Sequence, residues 1–444
     1  MKSEKNGIES HLPPINALVA DAAGEIFELP GYAAAGMGGP VLVPLSLDRT
    51  VAMPFGSELM MLPDRVPVLY NRTLRAMEAV PDNPYEPGEP IFPVAVFNSP
   101  GYVVTQVCAY QEGQGAKTLP LFSYGAVGWA KGRFRSAAVR VDFEPRQDLR
   151  KMPAEAVAAG VARMREKLPQ NRLRAHLETC ALTYGCPAGK NFFLGRYEAP
   201  LPSARHCNAR CLGCLSLQTR SGLSCSQNRI EFTPTAEEIA EVALMHIGRV
   251  KKAVVSFGQG CEGDPLLAAE VIAPAVRRIR AATGRGTINL NTNASRPDLL
   301  EKIIDAGLDS LRVSLNSVRE PLYTAYFRPV GYRFGDVLAS IDLALSKGVF
   351  VSINLLNMAG VTDAPEEADA LAGFLSDHRI GMIQWRNLNY DPLRYVDAMA
   401  AAAPLGPPIG MRRLLDQIRR RFPDLRFGYF NPPKEKYRRR QRRR

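Results

Sequence analysis

The sequence predicts an α/β protein in which a partial (β/α)6 barrel follows an N-terminal β-rich domain. From about residue 203 onward, apolar strand-like runs alternate with helical stretches, the pattern of successive βα units and therefore of a parallel sheet. About six such runs can be counted, fewer than the eight of a closed barrel. Before about residue 145 the texture differs: short runs rich in Val, Phe, Tyr and Thr are broken by Gly, Pro, Asn and Asp, as in antiparallel strands joined by turns. A length of 444 residues suits two or three units. The boundaries read as a β-rich domain over 1–150, a helical linker over 151–200, the barrel over 201–395, and a C-terminal helix with a basic tail over 396–444.

In the first unit Ile91 to Asn98, Tyr102 to Tyr110 and Ser136 to Phe143 read as strands. The run Tyr102 to Tyr110, with Thr118 to Val127 beyond the turn-rich QEGQGAK, predicts a hairpin. Gly36, Gly38 and Gly39 in AAGMGGP lack the Lys-Ser/Thr ending of a phosphate loop and read as a turn. Residues 153–168 carry Pro first, Glu in the first turn and basic residues late, the charge order that a helix dipole favours. A second helical stretch runs to about Cys180, followed by an irregular segment up to the first barrel loop. In the barrel the strands are Ala253 to Phe257, Thr287 to Leu290, Leu311 to Leu315, Phe350 to Leu355 and Met382 to Trp385. Helices such as Thr235 to Ile247 and Pro265 to Ile279 separate them, and a last helix lies near Met411 to Arg421.

The first twenty residues lack the apolar stretch of a secretory signal, and no uncharged apolar run reaches the roughly 18 residues of a membrane span. The expected location is therefore the cytoplasm. In that reducing compartment the eight cysteines read as metal ligands or redox groups before disulfides. The net charge is +12, but Lys434 to Arg444 holds eight basic residues against Glu435 and so supplies +7, leaving +5 for the body. The arginines Arg438 to Arg440 and Arg442 to Arg444 can neutralise phosphates, which makes RNA contact by the tail one reading and a solvated terminus the other. The body has no basic-aromatic surface signature.

The chemistry is concentrated in Cys207-Asn-Ala-Arg-Cys211-Leu-Gly-Cys214. Such close spacing lets one loop present three thiolates to three irons of a cubane, whereas structural zinc would need a fourth ligand, for which His206 and Cys225 are the nearby candidates. A CxxxCxxC motif leading a βα series resembles the radical-SAM superfamily, and the resemblance covers roughly residues 203–391. It implies a partial TIM-like barrel and a [4Fe-4S] cluster on Cys207, Cys211 and Cys214, with S-adenosylmethionine (SAM) chelated by the remaining iron. One electron, from a reductant protein of flavodoxin or ferredoxin type, would then cleave SAM to methionine and a 5′-deoxyadenosyl radical that abstracts hydrogen from the substrate. One departure stands out: the family usually has an aromatic residue before the third cysteine, where this chain has Gly213.

The strand ends extend the resemblance. Gly258-Gln-Gly-Cys-Glu262-Gly263-Asp264-Pro resembles the family's Gly-Gly-Glu-Pro stretch, whose glycines permit close approach and whose carboxylate suits the SAM ammonium. Thr292 and Asn293 end the third strand and Ser314 and Asn316 the fourth; the resemblance implies that they hold the carboxylate and ribose of SAM, capping of the next helices being the other reading, while Asn354 in the fifth strand is a candidate for the adenine or substrate pocket. Gln384, Arg386 and Asn387 on the sixth strand are candidates for the pocket wall, subject to strand alternation. Cys108 reads as a buried apolar side chain, while Cys180, Cys186, Cys225 and Cys261 are candidates for an auxiliary cluster. The core leaves the reaction open, with a small metabolite or peptide favoured over RNA as substrate. A non-catalytic iron-sulfur protein that transfers electrons or senses redox state is the alternative.

Overall fold

The computed structural model describes residues 12–145, 148–218 and 222–437. The arginine-rich tail from Arg438 and its RNA reading lie outside the described residues. The second half of the chain forms a seven-stranded sheet whose strands lie side by side in chain order and are all parallel. We number them β1 (Glu198–Pro200), β2 (Val254–Phe257), β3 (Thr287–Thr292), β4 (Ser310–Leu315), β5 (Phe350–Asn357), β6 (Met382–Asn387) and β7 (Arg426–Gly428). β2 and β3 are buried along their whole lengths, as expected of parallel strands covered on both faces. The sheet has one strand more than expected and overruns the anticipated 201–395 segment at both ends. The outermost strands, β1 and β7, are only three residues long and too short to show an apolar period.

The helices are α1 (Ala154–Lys167), α2 (Arg172–Leu182), α3 (Pro187–Leu194), α4 (Ala236–Arg249), α5 (Ala269–Ala282), α6 (Pro297–Asp305), α7 (Glu320–Phe327), α8 (Phe334–Ser346), α9 (Pro365–Asp377), α10 (Pro392–Ala402) and α11 (Met411–Arg421). Thr235 starts α4 with a capping box, its side chain accepting from the Glu238 amide while Glu238 accepts from the Thr235 amide. α11 occupies the expected residues. α3 does not fit the expectation of an irregular segment after Cys180: Pro187 opens it and Gly195, at φ +64°, closes it.

The N-terminal half is a thirteen-stranded antiparallel sheet with strands between Asn16 and Ser136. The expected hairpin forms only in part. Val107 pairs with Gly125, but Tyr102–Val104 pairs with Ala138–Arg140, and Tyr110–Glu112 with Arg65–Asn71. Gly36 and Gly38 lie in a strand, while Gly39 begins a turn against the loop after β5. That turn touches Gly360 so closely that a Cβ on Gly360 would stand 1.8 Å from the Gly39 nitrogen. Cys108 is buried, its thiol donating to the Val94 carbonyl at 3.3 Å.

Two polar side chains fasten the N-terminal region to the barrel. Asn387, at the end of β6, accepts from the Val104 amide at 2.8 Å and donates to the Tyr102 carbonyl at 2.9 Å. Asp391, fully buried, caps α10 and also accepts from the Leu119 amide at 2.9 Å and from Arg65 at 3.2 Å. The segment after β7 returns beneath the N-terminal ends of the strands, where the Lys434 amide donates to the Thr287 hydroxyl and Tyr437 stacks on Phe350. No helix among the described residues is long and apolar enough to cross a membrane.

Candidate active site

A cavity of about 390 Å³ opens at the C-terminal ends of the barrel strands, lined by Cys207 and Cys211, by residues ending β2 to β6, and by Phe97, Asn98 and Ser123 of the N-terminal sheet. Ligands of parallel α/β sheets bind at this end, because loops and side chains converge there. The N-terminal domain therefore closes the mouth of the barrel. Nothing in its sequence announced this: Asn98 is an ordinary strand-end residue until the fold brings it over the cavity.

The cysteine loop is clamped along its length. The Arg210 and Leu212 amides donate to the carbonyls of Phe327 and Tyr326 at the end of α7, at 2.8 and 3.0 Å. Asn208 donates to Ser295 and accepts from Asn293, each at 2.9 Å, and the Asp264 amide donates to the His206 carbonyl at 2.9 Å. Arg229 points its guanidinium at the Cys214 sulfur, 3.6 Å away. Burial pushes the Cys207 thiol up to about 12, and Asp264 pushes in the same direction; burial also raises Cys211 well above its ordinary range. Thiols so placed ionise only against a strong local cation, as bound iron would be. Among the described residues, the donor atoms of Cys207, Cys211 and Cys214 neither draw within 4.8 Å of one another nor gather a His, Asp or Glu oxygen or nitrogen as for a single ion. Both expected candidates for a fourth ligand, His206 and Cys225, are exposed. Three thiols of one loop, two of them on the cavity wall, fit a cubane with one iron left open.

Gly213 has its own reason. A Cβ there would meet the Asn389 carbonyl oxygen at 2.8 Å and the Tyr326 hydroxyl at 3.2 Å, so the site tolerates no aromatic side chain. The nearby aromatic ring is instead Tyr326 on α7, which lines the cavity.

The loop after β2 divides its two carboxylates between tasks. Glu262 is buried and takes four backbone amides: Ser203 and Ala204 at 2.7 and 2.9 Å, and Gly258 and Gln259 at 2.8 Å each. Burial pushes its carboxyl up to about 7, against the pull of those amides. Glu262 is not among the cavity-lining residues; it ties the start of the cysteine loop to the turn after β2. Gly263 and Asp264 do line the cavity. The Asp264 carboxylate accepts from the Thr292 hydroxyl and the Asn293 amide at 2.7 Å each, which aligns it across two strand ends.

Thr292, Asn293, Ser314 and Asn354 all reach the cavity, and the Asn354 Oδ1 is buried without a protein partner. Asn316 does not reach it: its amide nitrogen donates to the Leu322 carbonyl and the Tyr395 hydroxyl at 3.1 Å each, within the packing of α7 and α10. On β6, Arg386 and Asn387 line the wall, while Gln384 lies deeper and binds Arg312 and Asn431. Arg312 also lines the cavity; burial, then the charge of Arg386, lowers it to about 9, so it remains a cation at neutral pH. Tyr429, which follows β7, lies under the Arg386 guanidinium at 4.0 Å. Sequence reasoning passed over Asn98, Arg229, Tyr326 and Tyr429 because each arrives from an element far away in the chain.

Residues 201–372 match the family model of the Radical SAM superfamily. The chain thus carries a Radical SAM domain, the module of enzymes that work with a [4Fe-4S] cluster and SAM. No curated protein matches the chain. Among solved structures it is similar to a radical SAM methyltransferase from Sphaerobacter thermophilus, at 18% identity and TM-score 0.36 over 52% of this chain and 66% of that one. It is also similar to the FeFe-hydrogenase maturase HydG from Carboxydothermus hydrogenoformans, at 14% identity and TM-score 0.33 over 67% and 78% of the two chains. Coproporphyrinogen III oxidase from Escherichia coli gives 15% identity and TM-score 0.35 over 51% and 52%. The chain spans less than two thirds of the first of these, and the loose overall likeness leaves the subfamily open.

Proposed function

We propose that the protein is a cytoplasmic radical-SAM enzyme that acts on a small metabolite or peptide bearing an anionic group. One observation carries this reading: three partly buried thiols of one loop, gathered with no fourth protein donor among the described residues, stand at a cavity that Cys207 and Cys211 line together with polar ends from successive strands. When bound, a [4Fe-4S] cluster and SAM supply one-electron cleavage of a sulfonium bond and hydrogen abstraction from a substrate, with the electron coming from a flavodoxin- or ferredoxin-type partner.

The chain's own residues select and orient. Cys207, Cys211 and Cys214 hold three irons. Asp264, aligned by Thr292 and Asn293, receives the SAM ammonium, beside Gly263, where a Cβ would strike the His206 carbonyl. Ser314 and Asn354 serve the ribose or carboxylate. Glu262 and Asn316 act from behind the wall, as positioning residues. Arg312 and Arg386 make the deep side of the cavity cationic, which suits an anion. Asn98, whose side-chain oxygen and nitrogen are both buried without a protein partner, is placed to hydrogen-bond the substrate from above.

The test is anaerobic incubation of the reduced, reconstituted protein with SAM. Release of 5′-deoxyadenosine by the wild type and none by Cys211→Ala is expected. Absence of cleavage with every reductant would instead favour an iron-sulfur protein of electron transfer or redox sensing. Once a substrate is found, Asn98→Ala should raise its KM while leaving substrate-free SAM cleavage unchanged; an unaltered KM would remove Asn98 from the substrate site.

A further inference from the structure

A second group of donors converges outside the cavity lining. His176 and Cys180 are one turn apart on α2, and Cys261 lies on the loop after β2; the donor atoms of the three stand within 4.8 Å of one another. Both cysteines are buried, and His176 is partly so. The spacing i, i+4 places His176 and Cys180 on one face of the helix. His176 Nε2 and Cys180 Sγ are 3.5 Å apart. Tetrahedral zinc, with bonds of about 2.3 Å to sulfur and about 2.0–2.1 Å to nitrogen, has a sulfur–nitrogen edge of about 3.5 Å. The separation, that of a hydrogen bond here, also accommodates two ligands of a single ion. A fourth donor is close by: the chain reverses after α2 through Gly185, at φ +64°, and the Cys186 amide donates to the Cys180 carbonyl at 2.9 Å. The Cys186 thiol stands outside that 4.8 Å group but in the same neighbourhood, close enough to interact electrostatically with Cys180 and Cys261.

We propose that His176, Cys180 and Cys261 form a second metal site, mononuclear and tetrahedral, that takes a zinc-class divalent ion, its fourth position filled by the neighbouring Cys186 or by water. The contrast with the catalytic cysteines supports one ion over a second cubane. The donors of His176, Cys180 and Cys261 close on a single point, which suits one ion, whereas the thiols of Cys207, Cys211 and Cys214 do not all lie within 4.8 Å of one another. Cys225, the remaining cysteine near this region, is exposed and is not needed.

The ion would rivet the helical linker to the active-site floor. Cys261 sits beside Glu262, which holds Ser203 and Ala204 at the entry to the cysteine loop, and its carbonyl accepts from the Ile230 amide at 2.7 Å. α2 would thus be joined through one bond set to the turn that shapes the SAM pocket. Such a structural ion contributes to folding directly.

The test uses full-length protein purified aerobically from zinc-supplemented medium, both as wild type and as the triple variant Cys207→Ala/Cys211→Ala/Cys214→Ala. About one zinc per chain is expected in each, and less than about a tenth in Cys180→Ser/Cys261→Ser. Should that double variant fold poorly, cobalt-substituted wild-type protein provides the second readout: thiolate-to-cobalt charge-transfer bands with intense tetrahedral d–d bands are expected. Wild-type protein without zinc and without those cobalt bands would overturn the proposal. So would zinc that persists in the folded double variant, or a Cys180–Cys261 disulfide in the isolated protein. About four irons per chain retained by the reconstituted triple variant would replace the single ion with a second cluster.

Discussion

Gly263 has no room for a methyl group, because a Cβ there would lie 1.9 Å from the His206 carbonyl oxygen and 3.0 Å from its nitrogen. The obstacle is backbone of the cysteine loop itself, one residue before Cys207, so it cannot swing aside as a flexible side chain would. Gly263→Ala should therefore displace the loop and lower iron retention severalfold after anaerobic reconstitution. Iron content equal to wild type would show that the loop yields without harm. Glu262 illustrates what a motif match leaves open. The sequence offered Glu262 and Asp264 alike; Glu262 is spent on four amides, and Asp264, two positions on, faces the cavity. Residue type was readable, but which carboxylate points inward depends on the turn.

At the scale of the element, α4 shows how burial becomes a pH dependence. His246 is fully buried on its inner face, and burial lowers its pKa from 6.5 to about 3, the Tyr197 carbonyl at 3.3 Å being its polar partner. The native imidazole is therefore neutral. Below pH 6.5 the unfolded chain takes up a proton that the folded chain refuses until about pH 3, so the contribution is whole above pH 6.5 and is lost as pH falls through that window. The slope is about 1.4 kcal/mol per pH unit. His246→Gln keeps a donor for the carbonyl and should flatten the acid limb of stability by about that slope, measured by denaturant unfolding across the window. An unchanged slope would mean that His246 is not neutral in the fold. Elements with a strong cap or a pronounced apolar face were legible in advance, α4 by the first and α11 by the second. α3 was not, although Pro187 and Gly195 mark its ends, because eight residues with an internal glycine show little periodicity.

For the whole molecule, the join between the antiparallel sheet and the barrel turns on Asp391, which is buried on Arg65, Tyr110 and the Leu119 amide while it caps α10. Removing one partner of a buried ion pair costs up to roughly 3–5 kcal/mol, here tempered because Arg65 keeps Glu112 at 3.6 Å. Asp391→Ala should lower stability by that order and expose the connection between the halves to limited proteolysis. A change below about 1 kcal/mol would show that the pair is not essential to the join. Since Phe97, Asn98 and Ser123 close the cavity, loosening this join should also weaken substrate binding before it affects the cluster.

Local order and chemical type were written in the chain. The cysteine spacing, the alternation of strand and helix and the polar strand ends all arise from short-range geometry, in which neighbours in sequence are neighbours in space. Three-dimensional packing alone decided the rest: Glu262 rather than Asp264 turning away from the cavity, Asn316 joining the helix packing, the N-terminal sheet closing the mouth, and His176 meeting Cys261, 85 positions further along the chain. Those outcomes depend on which surfaces bury against each other, and burial between distant segments has no local sequence period to announce it.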